Sequence, residues 1–143
     1  MRNVSRRLII MVMGVICAAT AVKAQDAHRF EVDVPFQFIV SGRTLQPGKY
    51  IVQRLDPGKP NILIIKNTKE GAVRLLTMQR VESDKPSATS SLVFLRKDGK
   101  FYLFQVWSRD EMHGNQIPRS GRDELILPED KNSRLVRLRA KAP

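Results

Sequence analysis

Apolar side chains recur at every second residue between positions 30 and 40. The six apolar residues of this unbroken alternation are Phe30, Val32, Val34, Phe36, Phe38 and Val40. Glu31 and Asp33 lie between them. Because side chains alternate across a β-strand, this spacing predicts one face toward a core and an acidic face toward water. Pro35 has no N–H to give to a sheet, so the segment is either one strand bent at Pro35 or two strands that change sheet there.

Turn signals divide the next part of the chain into further short strands. Pro47-Gly48 matches a type II turn, because proline presets φ and glycine accepts a positive φ. The short run over residues 62–65 is apolar and rich in β-branched side chains, which predicts a strand covered on both faces. Residues 83–90 are polar, contain Pro86, and predict a loop.

The strongest hairpin signal is Asp98-Gly99 between two apolar runs. A two-residue turn determines which residues face each other across the hairpin. The expected pairs are Lys97 with Lys100, Leu95 with Tyr102, Phe94 with Leu103, and Val93 with Phe104. Both faces of the hairpin are largely apolar, so we expect it at the centre of a sheet.

These signals indicate an all-β fold of about seven short strands, either a small antiparallel β-sandwich or a β-barrel. No long helical period supports a parallel α/β architecture. Residues 109–133 are charged and irregular, and Ser120 followed by Asp123 could begin a single helical turn through Leu125. Residues 134–139 alternate weakly and predict a last strand.

Residues 1–24 match a secretory signal peptide. Arg2, Arg6 and Arg7 precede an apolar run over residues 8–21. Val22 and Ala24 then give a branched and a small residue at the −3 and −1 positions of a signal-peptidase cleavage site. The run is shorter than the roughly 20 apolar residues of a membrane-spanning helix. We therefore expect export, cleavage after Ala24, and a single β-domain over residues 25–143 in the periplasm or outside the cell. A retained N-terminal anchor is the alternative.

Charge and cysteine content narrow the functions of the mature chain. Loss of the four basic residues of the signal lowers the net charge from +11 to +7. Cys17 is the only cysteine, so the mature chain has neither disulfides nor thiolate sites. Outside the cytoplasm we expect no nucleic acid as partner, whereas an anionic envelope polymer, a lipid head group or an acidic protein fits this charge. Solubility alone would also explain it.

Two segments and a short motif carry a family resemblance. Residues 34–38 read V-P-F-Q-F and residues 42–50 read G-R-T-L-Q-P-G-K-Y. The pattern V-P-F-x-F…G-x-x-L-x-P-G-x-Y, with the Q-V-W of residues 105–107, resembles a group of small secreted β-rich proteins of environmental bacteria, functionally uncharacterised as a group. The resemblance spans roughly residues 30–124. It implies a β-rich fold and export, and it implies no activity or ligand.

A ligand site is expected where the hairpin ends and the charged segment begins. Trp107 lies there beside Arg109, and Arg119 and Arg122 follow in the charged segment. An exposed tryptophan with flanking arginines suits a sugar or an anionic polymer. The structural alternative is that Trp107 packs in the core or covers one end of it.

Three residue types that bind metals lie close together at Asp110, Glu111 and His113. A compact loop cluster seldom encloses a metal without distant ligands, and charged loops are common for solvation alone. We therefore expect no metal and no cofactor. A Ser-His-Asp arrangement would have to use His113, because His28 lies near the N-terminus.

We therefore expect an exported, non-enzymatic β-domain that serves as an interaction or structural module of the cell envelope or extracellular space. Its partner would be an anionic envelope polymer, or another protein that pairs with an edge strand such as residues 134–139. The alternative is a small barrel that binds an apolar or anionic ligand, with a pocket lined by Phe36, Phe38 or Phe94; a filled interior would favour the first reading. An enzyme that depends on His113 is the least supported reading.

Overall fold

Eleven β-strands and no helix make up the regular structure of residues 28–118 and 133–141, which are the residues that the computed structural model describes. The expected signal peptide and the expected helical turn at Ser120 lie outside these ranges. The strands are β1 Phe30–Val34, β2 Phe38–Val40, β3 Arg43–Leu45, β4 Gly48–Asp56, β5 Lys59–Asn67, β6 Val73–Thr77, β7 Gln79–Glu82, β8 Ser91–Lys97, β9 Lys100–Trp107, β10 His113–Gln116 and β11 Arg134–Arg139. No helix among the described residues is long and apolar enough to cross a membrane.

The strands form two sheets. The four-stranded sheet has the order β1-β4-β5-β6, with every neighbouring pair antiparallel. The seven-stranded sheet has the order β11-β8-β9-β10-β7, and β2 joins it beside β9 and carries β3. The β2–β9 pairing is parallel and is given by one residue pair, Ile39 with Tyr102. The expectation of about seven strands is wrong, because the chain changes sheet at two points and because the short strands β3 and β10 also form.

The first division occurs at Pro35, where the chain leaves the four-stranded sheet after β1 and enters the seven-stranded sheet at β2. Of the two readings of Pro35, the change of sheet is therefore confirmed. The chain changes sheet a second time at Met78, between β6 of the four-stranded sheet and β7 of the seven-stranded sheet. Both changes of sheet bring consecutive strands to opposite sides of one core.

That core is shared by the inner faces of the two sheets. Val32, Tyr50 and Ile65 come from the four-stranded sheet, and Phe38 and Phe94 come from the seven-stranded sheet. The Phe38 ring makes edge-to-face contacts with Tyr50 and Phe94, at centroid distances of 5.2 and 5.3 Å. Burial of each such side chain stabilises the folded state by about 1.5–3 kcal/mol. The described strands therefore form two open sheets packed on a shared hydrophobic core, as in a β-sandwich, and not a closed barrel.

The Asp98-Gly99 hairpin is confirmed, with a correction to its register. Asp98 and Gly99 have φ values of 50° and 75°, as a two-residue hairpin turn requires. The expected pairs hold as far as Phe94 with Leu103, but Val93 pairs with Gln105 instead of Phe104. A β-bulge therefore interrupts the ladder. The predicted central position is also confirmed, since β8 and β9 lie inside the seven-stranded sheet.

Three local predictions are wrong. Gly48 does not have a positive φ, so the type II turn at Pro47-Gly48 does not form; Gly48 begins β4 opposite Val34. Residues 62–65 are not covered on both faces, because Leu63 and Ile65 are buried while the alternate residues are partly exposed. Part of the segment expected to be irregular forms β10, which pairs with β7 and β9. The predicted last strand is confirmed as β11, paired with β8.

Candidate ligand-binding cleft

One row of residues crosses four strands on the outer face of the seven-stranded sheet, opposite to the core. Trp107 on β9 pairs with Gly114 on β10 and with Ser91 on β8. Ser91 in turn pairs with Arg139 on β11. Leu92 and Val106, the chain neighbours of Ser91 and Trp107, belong to the core. Because side chains alternate along a strand, Ser91 and Trp107 lie on the opposite, outer face.

Trp107 is fixed against this face instead of projecting from it. A Cβ atom on Gly114 would lie only 2.7 Å from the indole Cε2, so the ring lies directly against the β10 backbone. The indole Nε1 donates to the Gln105 Oε1 at 3.1 Å, and Gln105 Nε2 donates to Gln116 Oε1 at 3.0 Å. Trp107 is only 8% exposed. Of the two readings of Trp107, the exposed one is therefore wrong, because the missing side chain at Gly114 lets the ring lie flat.

Two arginines of β11 lie beside this tryptophan. Arg137 and Arg139 are two residues apart, so they share the outer face. Arg137 Nη1 donates to Ser91 Oγ at 3.3 Å, and Ser91 is fully buried. A neutral hydroxyl thus orients the Arg137 guanidinium without neutralising its charge.

The loop before β8 forms a wall above the same face. Backbone hydrogen bonds hold it to residues 110–112: Ser87 N donates to Glu111 O, Asp110 N donates to Ser87 O, and Ser83 N donates to Met112 O, at 2.8–2.9 Å. The end of the loop is tied to the end of β11, since Ala140 N donates to Ser90 O at 2.8 Å. Loop 83–90 is therefore held at both ends.

Between this loop and the sheet lies a cleft of about 320 Å³, here called the Trp107 cleft. Three cationic side chains and three hydroxyl side chains line it together with Trp107; they are Lys85, Arg137 and Arg139, and Ser83, Ser87 and Thr89. No acidic residue of the described ranges lines it. Within the described ranges, these three cationic side chains form no ion pair with an acidic residue. The cleft is therefore a positively charged recess with several hydrogen-bond donors.

The three weak metal candidates do not act together. Glu111 is engaged by Arg54, whose Nη2 lies 2.7 Å from both carboxylate oxygens, and His28 Nδ1 lies 3.1 Å from Oε1. Asp110 is a turn residue with a φ of 61° and a side chain that is 85% exposed. No group of three metal-binding side chains occurs in the described ranges. Glu111 instead ties the loop after β9 to β4 of the other sheet.

His113 lies on β10, inside the seven-stranded sheet. It pairs with Glu82 across β10 and β7, and its Nδ1 is buried without a hydrogen-bond partner. A catalytic histidine needs a group that holds its ring in a defined orientation. The part of the chain that the structure describes provides none at this nitrogen.

The expected ligand residues are only partly brought together. Trp107 lines the cleft, whereas Arg109 is not among its lining residues; the Arg109 backbone N–H donates to Ser90 Oγ at 3.0 Å. Arg119 and Arg122 lie outside the described residues. The sequence did not place Lys85, Arg137 or Arg139 beside Trp107. The alternation over residues 134–139 could have placed both arginines on one face, but not beside Trp107.

Comparison with known proteins finds no match for this chain: no family model, no curated protein and no solved structure is significantly similar to it.

Proposed function

We propose that this chain is an exported, non-enzymatic β-domain that acts as an interaction module of the cell envelope or extracellular space, and that it binds an anionic partner in the Trp107 cleft. The observation that carries the proposal is the grouping of Lys85, Arg137 and Arg139 around one recess, with no acidic partner among the residues that the structure describes. Like charges placed together without neutralisation destabilise a fold slightly, so their placement favours a role in binding an anion.

The packing of aromatic rings in the core supports surface binding over an enclosed ligand. Phe36 stacks on Phe101 at a centroid distance of 3.8 Å and makes an edge contact with Phe94 at 5.1 Å. Phe38 is also buried among aromatic rings. The three phenylalanines that would have lined an enclosed pocket therefore pack against other rings.

Export is part of the proposal and rests on the signal-like residues 1–24, with the resemblance described above as additional support. The test is N-terminal sequencing of the native protein after cell fractionation. We expect a product that begins at Gln25 in the periplasmic or extracellular fraction. A cytosolic product that retains Met1 would contradict export.

Binding is tested with immobilised dextran sulfate, an anionic polymer, at increasing salt concentration. A protein with a net positive charge binds such a polymer weakly in any case, so the control must remove equal charge elsewhere. We compare R137Q/R139Q with K59Q/K66Q, which removes two exposed cations of β5. The first variant should elute at clearly lower salt than the second. Equal elution would refute the cleft as the binding site.

A second candidate partner is another protein that pairs with an edge strand. The end strand β6 favours it, because Val73 and Leu75 on this strand are 47% and 62% exposed. Such pairing should be insensitive to salt and to R137Q/R139Q, and L75K should weaken it. Capture of partners from envelope fractions with wild-type and L75K bait distinguishes this mode from binding in the cleft.

A further inference from the structure

The Trp107 cleft holds its cations in a defined arrangement. Arg137 and Arg139 project from the same face of β11, and successive residues on one face of a strand are about 7 Å apart. Ser91 Oγ accepts from Arg137 Nη1 at 3.3 Å and orients that guanidinium. Lys85 lines the same cleft from loop 83–90. Three positive charges therefore surround one small volume.

The charge of this recess indicates a ligand group with more than one negative charge. Its lining contains three cations and no carboxylate among the described residues. A carboxylate would neutralise only one of these charges. A phosphate monoester carries about −1.5 to −2 near neutral pH and offers three strong acceptor oxygens. Arginine binds phosphate oxygens through paired N–H donors.

The wall of the cleft adds hydrogen bonding to this charge. Ser83 Oγ accepts from the Lys85 backbone N–H at 3.4 Å, and its own hydroxyl hydrogen stays available to donate. Thr89 contributes a second hydroxyl to the lining. Ser87 is already engaged, because its hydroxyl donates to Thr89 O at 2.8 Å. Donors are thus present on both sides of the recess.

The size of the cleft limits how much of a ligand it encloses. A volume of about 320 Å³ is at the lower end of small-molecule sites, which span about 300–1,000 Å³. It accommodates a phosphorylated unit of the size of one sugar or one lipid head group.

We propose that the Trp107 cleft binds a phosphate monoester group, with Arg137, Arg139 and Lys85 as its charge partners. This inference rests on the proposed function and narrows its ligand class. The phosphate could belong to a soluble sugar phosphate or to a lipid head group, since both present the same terminal group.

The test compares methyl phosphate with dimethyl phosphate by isothermal titration, using the full mature chain. The two esters are similar in size but differ by about one charge. We expect methyl phosphate to bind about tenfold more tightly, and R137Q or R139Q each to weaken it about tenfold, as loss of a charged hydrogen bond implies. R134Q is the matched control, because Arg134 lies on the same strand but on the opposite face.

Equal affinity for the two esters, or equal loss in R134Q and R137Q, would overturn the phosphate assignment. If R137Q/R139Q still lowers dextran sulfate binding in that case, the proposed anion-binding cleft stands and only its ligand class is wrong. If the polymer binding is also unchanged, the proposed function fails as well. Vesicles that contain phosphatidic acid, compared with phosphatidylglycerol vesicles, identify the source: selective binding to the former indicates a lipid, and binding to soluble methyl phosphate alone indicates a soluble ligand.

Discussion

The indole of Trp107 lies against the backbone of Gly114, so closely that a Cβ atom on that glycine would approach Cε2 to 2.7 Å. The two residues pair directly across β9 and β10. This contact buries the tryptophan on the outer face of the sheet and forms the floor of the Trp107 cleft. A single missing side chain thus determines the position of a large one.

Replacement of Gly114 by alanine should displace the indole. We expect a loss of about 1–3 kcal/mol in the free energy of unfolding, as for other overpacked sites, measured by urea denaturation. In a Trp107→Leu background the same replacement should cost much less, because the smaller side chain leaves room for the methyl group. An equal cost in both backgrounds would show that the contact does not limit this position.

Glu111 and Arg54 join the two sheets through a partly buried ion pair, in which Nη2 lies 2.7 Å from both carboxylate oxygens. Their side chains are only 19% and 18% exposed. Glu111→Gln should therefore destabilise the fold by about 1.5–3 kcal/mol, because Arg54 loses its charged partner. Asp110→Asn is the matched control.

Asp110 adjoins Glu111, but its side chain is 85% exposed, and asparagine tolerates its positive φ. We expect the control to change stability by less than about 0.5 kcal/mol. Equal losses in the two variants would mean that the ion pair contributes nothing specific. Thermal unfolding of both variants at one salt concentration provides the comparison.

Asp33 on β1 forms an exposed ion pair with Lys141 after β11, with Nζ 2.9 Å from Oδ2. The hydrogen bond from Lys141 holds the pKa of Asp33 below its ordinary value of 3.8, and the same bond raises the pKa of Lys141 above 10.5. The contribution of Asp33 to stability is fully present above pH 3.8 and is lost as the pH falls through its lowered pKa. The contribution of Lys141 is present below pH 10.5 and is lost as the pH rises through its raised pKa.

Carboxyl NMR titration should detect this pair directly. Lys141→Gln should move the pKa of Asp33 upward, toward 3.8, and high salt should have the same direction of effect. Lys49→Gln should move it less, because Lys49 is the smaller influence on Asp33. An Asp33 titration that Lys141→Gln leaves unchanged would contradict the ion pair between Asp33 and Lys141.

Gly99 in the β8–β9 turn has a φ of 75°. Gly99→Ala should cost about 1–2 kcal/mol, because an L side chain disfavours the left-handed region. Gly58 occupies the β4–β5 turn without a positive φ, and a Cβ there meets only Asp56 Oδ1 at 3.4 Å. Gly58→Ala is therefore expected to be neutral or slightly stabilising. Denaturant unfolding measures the free energy of unfolding of both variants. Similar losses in Gly99→Ala and Gly58→Ala would argue against the positive φ of Gly99 in the β8–β9 turn.

Features that depend on neighbours along the chain could be predicted from the sequence. The alternation over residues 30–40 correctly indicated which side chains face the core, and Pro35 marked the change of sheet. Asp98-Gly99 determined the turn and the first four pairs of its hairpin. The register failed beyond Phe94, because the bulge inserts an extra residue that no turn rule indicates.

The candidate site could not be predicted in the same way. Residues 134–139 were recognised as a strand, yet nothing local indicates that this strand pairs with β8 and brings Arg139 into a row with Trp107. Lys85 reaches the same recess only because backbone bonds hold its loop to residues 110–112. Each of these contacts joins segments that are distant in the chain.

The sequence by itself determined the period-two burial pattern, the position of the Asp98-Gly99 turn and a β-rich fold, because these depend on the geometry of adjacent residues. Only the tertiary structure decided that eleven strands divide into two sheets, that β10 exists as a strand, and that Trp107 is buried over Gly114. Only it gathered Lys85, Arg137 and Arg139 around one cleft. Strand pairing between distant segments depends on which surfaces bury each other best, and that choice is made by the whole chain.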